Sequence, residues 1–309
     1  MKIYIIMNKW IFNTCKNRDL TLNNLVLPGT HNSCSINVDT SKYLEDGFIC
    51  CNNIWPVNKI INNWSKNQNL NILSQLNIGV RMFDIDISYY NNEFYTSHTF
   101  IIDKLDNFIK YLEEFNEKSG DLFILKLIHR YNITDELITQ IETIFNTKFK
   151  NRIIYPEHYN DPLNIQIDEY INKGKNMLIY MDNTNHNFYQ IKYNLYSDWP
   201  NKQNSTKCYQ YNKLKLYNEF NIFKTNNDNS FLDLNWTLTP QAKDIVLGIL
   251  CCCCYSSSLE NWVYKFNKKL NKFIEENITQ LKILNSISVD FINEEIVDLI
   301  IDINTINLN

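Results

Sequence analysis

NNLVLPGTHNS, residues 23–33, sets the pattern for the chain. Leu25, Val26 and Leu27 form a short apolar run stopped by Pro28 and Gly29, which reads as a buried strand ending in a turn. His31 follows at once, so an ionisable ring stands at a strand end. The same arrangement recurs in IGVRMFDIDISYY (78–90), EFYTSHTF (93–100), LFILKLIHRY (122–131), KNMLIYMDN (175–183), LYSDWP (195–200), LDLNWTLTP (232–240) and ISVDFI (287–292). Helical spacing separates several of these runs. Leu105, Phe108, Ile109, Leu112 and Phe115 recur at three and four residues, with Gly120 beyond their end. Leu137, Ile141 and Ile144 follow a capping Thr134, and Trp262, Phe266, Leu270 and Phe273 line a late helix. Strands alternating with helices predict an α/β fold, and eight strands predict a closed barrel. His31, Asp84, Asp86, His98, His129, Asp182 and Asp290 all lie in or just after strand runs. A barrel gathers such ends on one rim, where chemistry sits.

The 309 residues suit one barrel domain over 1–309, with an insertion at about 36–73 between the first two strands. That insertion carries Trp55, Pro56 and Trp64 and is expected to wall one side of a pocket. Residues 201–230 are polar and rich in Lys and Asn, and read as surface loop with a little helix or strand. With 30 basic against 34 acidic residues and no basic block, a nucleic-acid groove is not expected. Nine cysteines, an odd count made of one adjacent pair (Cys50 and Cys51), one run of four (Cys251–Cys254) and three isolated residues, make a poor disulfide framework, so a reducing, cytoplasmic setting is expected. The opening MKIYIIMNKWIFN lacks the apolar core and cleavage site of a secretory leader. The longest apolar stretch, IVLGILCCCCY (245–255), is too short to span a bilayer, and Cys251–Cys254 read as small buried hydrophobes.

Two histidines at strand ends form an acid–base kit. His31 can take a proton from a hydroxyl, and His98 can return one to a leaving group. Asp290 is placed to orient one of them and stabilise its charged form. Asp84 and Asp86, two apart on a strand, leave it on one face and invite a hard cation, with Asn32 as a third oxygen donor. The alternative is that Asp84 orients a histidine while Asp86 pairs with a lysine or arginine. Lys126 and His129 stand three apart in the fourth strand run, so an unbulged strand turns only one of them inward.

LVLPGTHNS resembles the opening motif of the phosphatidylinositol-specific phospholipase C X-domain family. GVRMFDIDI with YTSHTF is similar to its second block, LFILKLIHRY to its fourth strand, and WTLTP with SVDFINEEIVDLIIDIN to its closing part. The resemblance implies a distorted (β/α)8 TIM barrel. It assigns His31 to activation of the inositol 2-hydroxyl, His98 to protonation of the diacylglycerol oxygen, and Asp290 to pairing with His31. The family commonly has His-Gly where this chain has His98-Thr99, which implies a different local backbone. The metal-free members carry His-Asp and Asp-x-Arg where this chain has His31-Asn32 and Asp84-x-Asp86. Calcium-dependent members carry His-Asn and an acidic-x-Asp pair. The resemblance therefore implies Ca2+ on Asn32, Asp84 and Asp86. The position of a fourth, glutamate ligand falls near Ile128, leaving Asp182 or water to compensate; metal-independent action is the open alternative. Lys126, His129 and Asp182 are expected at the substrate.

The implied activity is cleavage of phosphatidylinositol to diacylglycerol and an inositol phosphate, at a membrane surface reached peripherally, with no obligate protein partner. Two readings stand beside it. One is a glycerophosphodiester or lysophospholipid phosphodiesterase on the same barrel. The other is an inactive lipid-binding module.

Overall fold

In the computed structural model, residues 9–16, 18–43, 55–129, 131–182, 187–226, 229–250 and 256–307 are described. Twelve strands occur among them: β1 Leu27–Thr30, β2 Asp39–Tyr43, β3 Met82–Tyr90, β4 Glu93–His98, β5 Phe100–Lys104, β6 Phe123–His129, β7 Ile153–Ile154, β8 Met177–Met181, β9 Tyr189–Gln190, β10 Leu195–Asp198, β11 Phe231–Trp236 and β12 Ser286–Val289. Parallel pairing runs β10-β11-β12-β1-β3-β6-β8. The free edge of β8 takes β7 beside its start and β9 beside its end. Among the described residues no ladder joins β9 to β10, so the sheet curls into an incomplete, distorted (β/α)8 barrel.

The third run of the sequence does not enter the barrel. β4 lies antiparallel to β3, β5 antiparallel to β4, and β2 pairs with β5. β3 is long enough to serve both arrangements. Its first residues pair with β1, and Asp86 to Tyr90 pair with β4.

Alternation sorts the strand side chains. Phe83, Ile85, Leu125, Leu127, Ile179, Leu234, Ile287 and Val289 face outward into one core with the helices. Helix Leu105–Lys118 contributes Leu105, Phe108, Ile109, Leu112 and Phe115 to it. Helix Asp135–Phe149 buries Ile138, Ile141 and Phe145, a face turned slightly from the one expected. The late helix is two, Leu259–Asn267 and Lys269–Leu281, and Trp262 is only half-buried while Val263 is buried. Leu27, Met82, Ile124, Leu178, Leu195 and Phe231 face the lumen and close its base, together with Trp10 and Ile11 of helix Trp10–Cys15.

Residues 201–230 hold more helix than the little expected there. Helix Ser205–Lys215 is capped by Asn204, whose side chain accepts from the Thr206 and Lys207 amides. It runs into a π-helical turn, Leu216–Phe220, that buries Leu216 and Phe220. Widely spaced apolar residues anchor it, too few to raise a periodic signal. In the insertion, helix Trp55–Ser65 seats Trp64 edge-on against Trp262, with ring centroids 6.0 Å apart. Cys15, Cys34 and Cys208 are free thiols. Cys50, Cys51 and Cys251–Cys254 lie outside the described residues. Among the described residues no helix is long and apolar enough to cross a membrane.

Candidate active site

β1 and β12 lie side by side, with Thr30 beside Val289. The next residue of each, His31 and Asp290, therefore emerge together at the rim. Such close approach needs Gly29, because a Cβ there would lie 2.5 Å from Ser288 Oγ. His31 Nδ1 stands 2.9 Å from Asp290 Oδ1, and the carboxylate is 1% exposed. Burial alone would lower the His31 pKa; the charge and hydrogen bond of Asp290 outweigh it and hold it above the ordinary 6.5.

His98 arrives from the antiparallel β4, its ring 6.4 Å from that of His31 and nearly perpendicular to it. The Asn32 amide nitrogen is 3.1 Å from His31 Nε2 and 3.3 Å from His98 Nε2. Two imidazole nitrogens thus converge on one point, the geometry acid–base transfer requires.

The residue after each of these three groups has a left-handed backbone: Asn32 at φ 44°, Thr99 at φ 61° and Phe291 at φ 53°. Each segment delivers its functional side chain and then turns away within one residue. Asparagine tolerates this conformation, whereas threonine and phenylalanine are strained in it. Thr99 therefore keeps a backbone suited to glycine, where a different local backbone was expected. Thr99→Gly is expected to relieve about 1 kcal/mol of that strain. Thermal denaturation checks this, and a lower melting temperature would show that the Thr99 side chain contributes more than its backbone costs.

The insertion supplies partners that sequence reading missed. Asn67 donates to Asp290 Oδ1 at 2.9 Å, and its carbonyl accepts from the Phe291 amide at 2.7 Å. Gln68 donates to the His31 and Val289 carbonyls, both at 2.9 Å, and accepts from the Ile292 amide. Polar residues after an amphipathic helix give no local sign that they brace a histidine so distant in sequence.

Asp84 and Asp86 share the lumen face of β3, and Lys126 faces them from β6, where it stands beside Asp84 in register. Lys126 Nζ lies 3.3 Å from Asp84 Oδ1. Burial would lower the lysine pKa, but Asp84, Asp233 and Asp86 together raise it, so the ammonium is retained. This bears directly on calcium. A cation on Asp84 would meet a fixed ammonium, Asn32 turns its amide nitrogen toward the two rings, and Ile128 beside Asp86 offers no oxygen. The donors present do not suit a calcium ion.

His129 and Asp182 fall elsewhere. His129 shares the alternation of Leu125 and Leu127, which face the outer core. Its Nδ1 lies 3.2 Å from Asp182 Oδ1, and its amide donates to the same oxygen at 2.9 Å. Burial lowers its pKa against the opposing pull of Asp182 and Glu142. Lys126 is thus the inward member of the pair. The structure gathers His31, Asn32, His98, Asp290, Asp84, Asp86 and Lys126 at the lumen and rim, and sets His129 apart.

The fold is shared with solved enzymes. The phosphatidylinositol-specific phospholipase C of Listeria monocytogenes superposes with a TM-score of 0.69 at 16% identity, covering 96% of this chain and 98% of that one. A mutant of the Staphylococcus aureus phosphatidylinositol-specific phospholipase C superposes at 0.65 with 17% identity, covering 96% of each. This chain has the phosphatidylinositol-specific phospholipase C X-domain fold. Sequence comparison points the same way. A PI-PLC X-box domain-containing protein of Dictyostelium discoideum is 28% identical over 130 residues, which is 41% of this chain. A PI-PLC X domain-containing protein of the same organism is 28% identical over 116 residues. The matched segments span 17% and 20% of those relatives' own lengths. No protein-family model matches the chain. Within the X-domain fold, the insertion carrying Asn67 and Gln68 braces the His31–Asp290 pair from above β1 and β12.

Proposed function

We propose that the chain is a phosphodiesterase that cleaves phosphatidylinositol to diacylglycerol and a cyclic inositol phosphate. The convergence of His31 Nε2 and His98 Nε2, with His31 backed by Asp290, carries this reading. His31 takes the proton of a headgroup hydroxyl whose oxygen then attacks phosphorus. His98 gives a proton to the departing glycerol oxygen, and Asp290 stabilises the imidazolium formed on His31. Lys126 supplies the positive charge near the phosphoryl oxygens, in place of a divalent cation. The ammonium against Asp84 also favours this reading over a phosphodiesterase built on a carboxylate-bound metal. The substrate belongs to a lipid surface, which the protein would reach peripherally, and its free thiols fit a reducing, cytoplasmic setting.

Purified protein on vesicles of labelled phosphatidylinositol is the direct test. Release of a water-soluble cyclic inositol phosphate supports the proposal; none from folded protein supports the inactive lipid-binding module. Activity is expected to persist in excess chelator, with no gain on adding calcium. Loss on chelation with recovery on calcium would return the positive role to a metal on Asp84 and Asp86. His98→Ala is expected to cost about 10²-fold in turnover on the lipid. The loss should shrink on a substrate whose leaving group departs without a proton. An equal loss on both substrates would remove His98 from the acid role.

A further inference from the structure

Helices Ser205–Lys215 and Lys269–Leu281 meet on the outside of the barrel, and the faces they turn to each other at the surface are polar. Thr206, Tyr209 and Lys213 recur at three- and four-residue spacing on the first helix, and Lys269, Lys272 and Glu276 do so on the second. Each set therefore forms one ridge. Neighbouring helices ordinarily close such a seam with apolar side chains. Here a cleft of about 340 Å³ opens between the ridges, a size suited to a small ligand. Its floor is packed: the Tyr209 ring meets Trp236 and Phe273 edge-on, with centroids 5.9 and 5.3 Å away.

Charge in the cleft is unbalanced. Three lysines line it against one acid, Glu276, leaving two positive charges in excess. The Glu276 carboxylate accepts from the Tyr209 hydroxyl at 2.7 Å. Lys272 Nζ and Lys213 Nζ approach it only to 3.6 and 3.9 Å. Both distances exceed the roughly 2.7–2.9 Å of a charge-assisted hydrogen bond, so these ammonium groups are not committed to the carboxylate. Lys269 donates to Ser205 Oγ at 2.8 Å, a neutral acceptor that leaves its charge uncancelled. We propose that this cleft binds a phosphomonoester, at a site separate from the lumen where the phosphodiester is cleaved. A phosphomonoester carries about −1.5 to −2 charge at neutral pH and three strong acceptor oxygens, which match the excess charge and the three ammonium groups. A phosphodiester, with one charge, matches them less well. Asn267, two residues before Lys269, donates to the Asp290 carbonyl at 2.8 Å, which sets the cleft beside the catalytic rim. The phosphomonoester arrives there either as a lipid headgroup or on a soluble molecule, and the recognition chemistry is the same for both.

The test needs no turnover, so it stands or falls apart from the proposed activity. The folded full chain is treated briefly with an amine-acetylating reagent, and each lysine is followed by peptide mass mapping. Three additions are compared: glycerol 3-phosphate, phosphatidylcholine vesicles doped with phosphatidic acid, and vesicles doped equally with phosphatidylglycerol. A phosphomonoester is expected to slow labelling of Lys213, Lys269 and Lys272 by about threefold or more, with the exposed Lys59 and Lys110 unchanged. Protection by glycerol 3-phosphate identifies a soluble ligand, and protection by phosphatidic acid vesicles alone identifies a lipid headgroup; either supports the site. No protection by either overturns the proposal. Equal protection by phosphatidylglycerol, a phosphodiester, also overturns it, because the lysines would then answer to any anionic membrane. Glu276→Gln removes the competing charge and should lower the half-effective ligand concentration about threefold, whereas Lys269→Gln with Lys272→Gln should raise that for protection of Lys213 about tenfold. All three positions are at the surface, so the fold is expected to survive. Weaker binding in Glu276→Gln, or unchanged binding in the double variant, would overturn the charge match on which the site is built.

Discussion

His31→Ala is expected to lower turnover by about 10²–10⁴-fold while leaving the melting temperature nearly unchanged. The ring is the rim-facing member of a pair whose other member, Asp290, is buried, so its loss removes a proton acceptor and little packing. Asp290→Asn tests the same pair through pH. The carboxylate raises the His31 pKa above 6.5, and a general base works only when neutral. The acid limb of kcat/KM should therefore lie above pH 6.5 in the wild type and move to lower pH in Asp290→Asn, together with a fall of about 10²-fold at the plateau. The stability linkage runs the other way. A raised histidine pKa stabilises the fold fully below the unfolded value of about 6.5, and this contribution fades as pH rises through the folded value. Melting curves below pH 6 should separate wild type from Asp290→Asn more widely than curves above pH 8. An acid limb that stays in place in Asp290→Asn would assign it to another group.

Asp121→Ala is expected to destabilise the protein by about 3–5 kcal/mol, the largest stability effect at any site described above. Asp121 and Arg81 are both fully buried, with Arg81 Nη2 2.9 Å and Nε 3.0 Å from Asp121 Oδ2. The same carboxylate accepts from the Ile11 and Phe12 amides at 3.1 and 3.0 Å, tying down the start of helix Trp10–Cys15. Arg81 spends its other donors on the Leu76 and Val80 carbonyls and lies 5.1 Å from the Phe115 ring centroid. Removing the carboxylate strands a buried guanidinium and two helix amides at once. A fall of roughly 10 °C in melting temperature should follow. Replacing both partners, Arg81→Met with Asp121→Leu, should cost less than Asp121→Ala alone, because no charge is left unpaired. A double variant worse than Asp121→Ala would show that the helix amides, not the ion pair, set the cost.

The sequence by itself determined what local rules govern. Period-two alternation marked the strands, and three-and-four spacing marked the helix from Leu105. Short apolar runs ending in polar residues placed His31 and Asp290 just past strand ends and Asp84 within a strand. The parity of Lys126 and His129 showed that they face opposite ways. Tertiary structure decided which of them faces the lumen, since parity fixes relative but not absolute direction; their neighbours Ile124 and Leu125 join the inner and outer cores respectively. It also decided that the run ending at His98 joins β3 antiparallel, because pairing direction depends on how the chain turns at Asn91 and Asn92, both left-handed. The braces Asn67 and Gln68 and the Arg81–Asp121 pair left no periodic trace. Each is one polar residue whose partner lies tens to hundreds of residues away, and only closure of the sheet brings the two together.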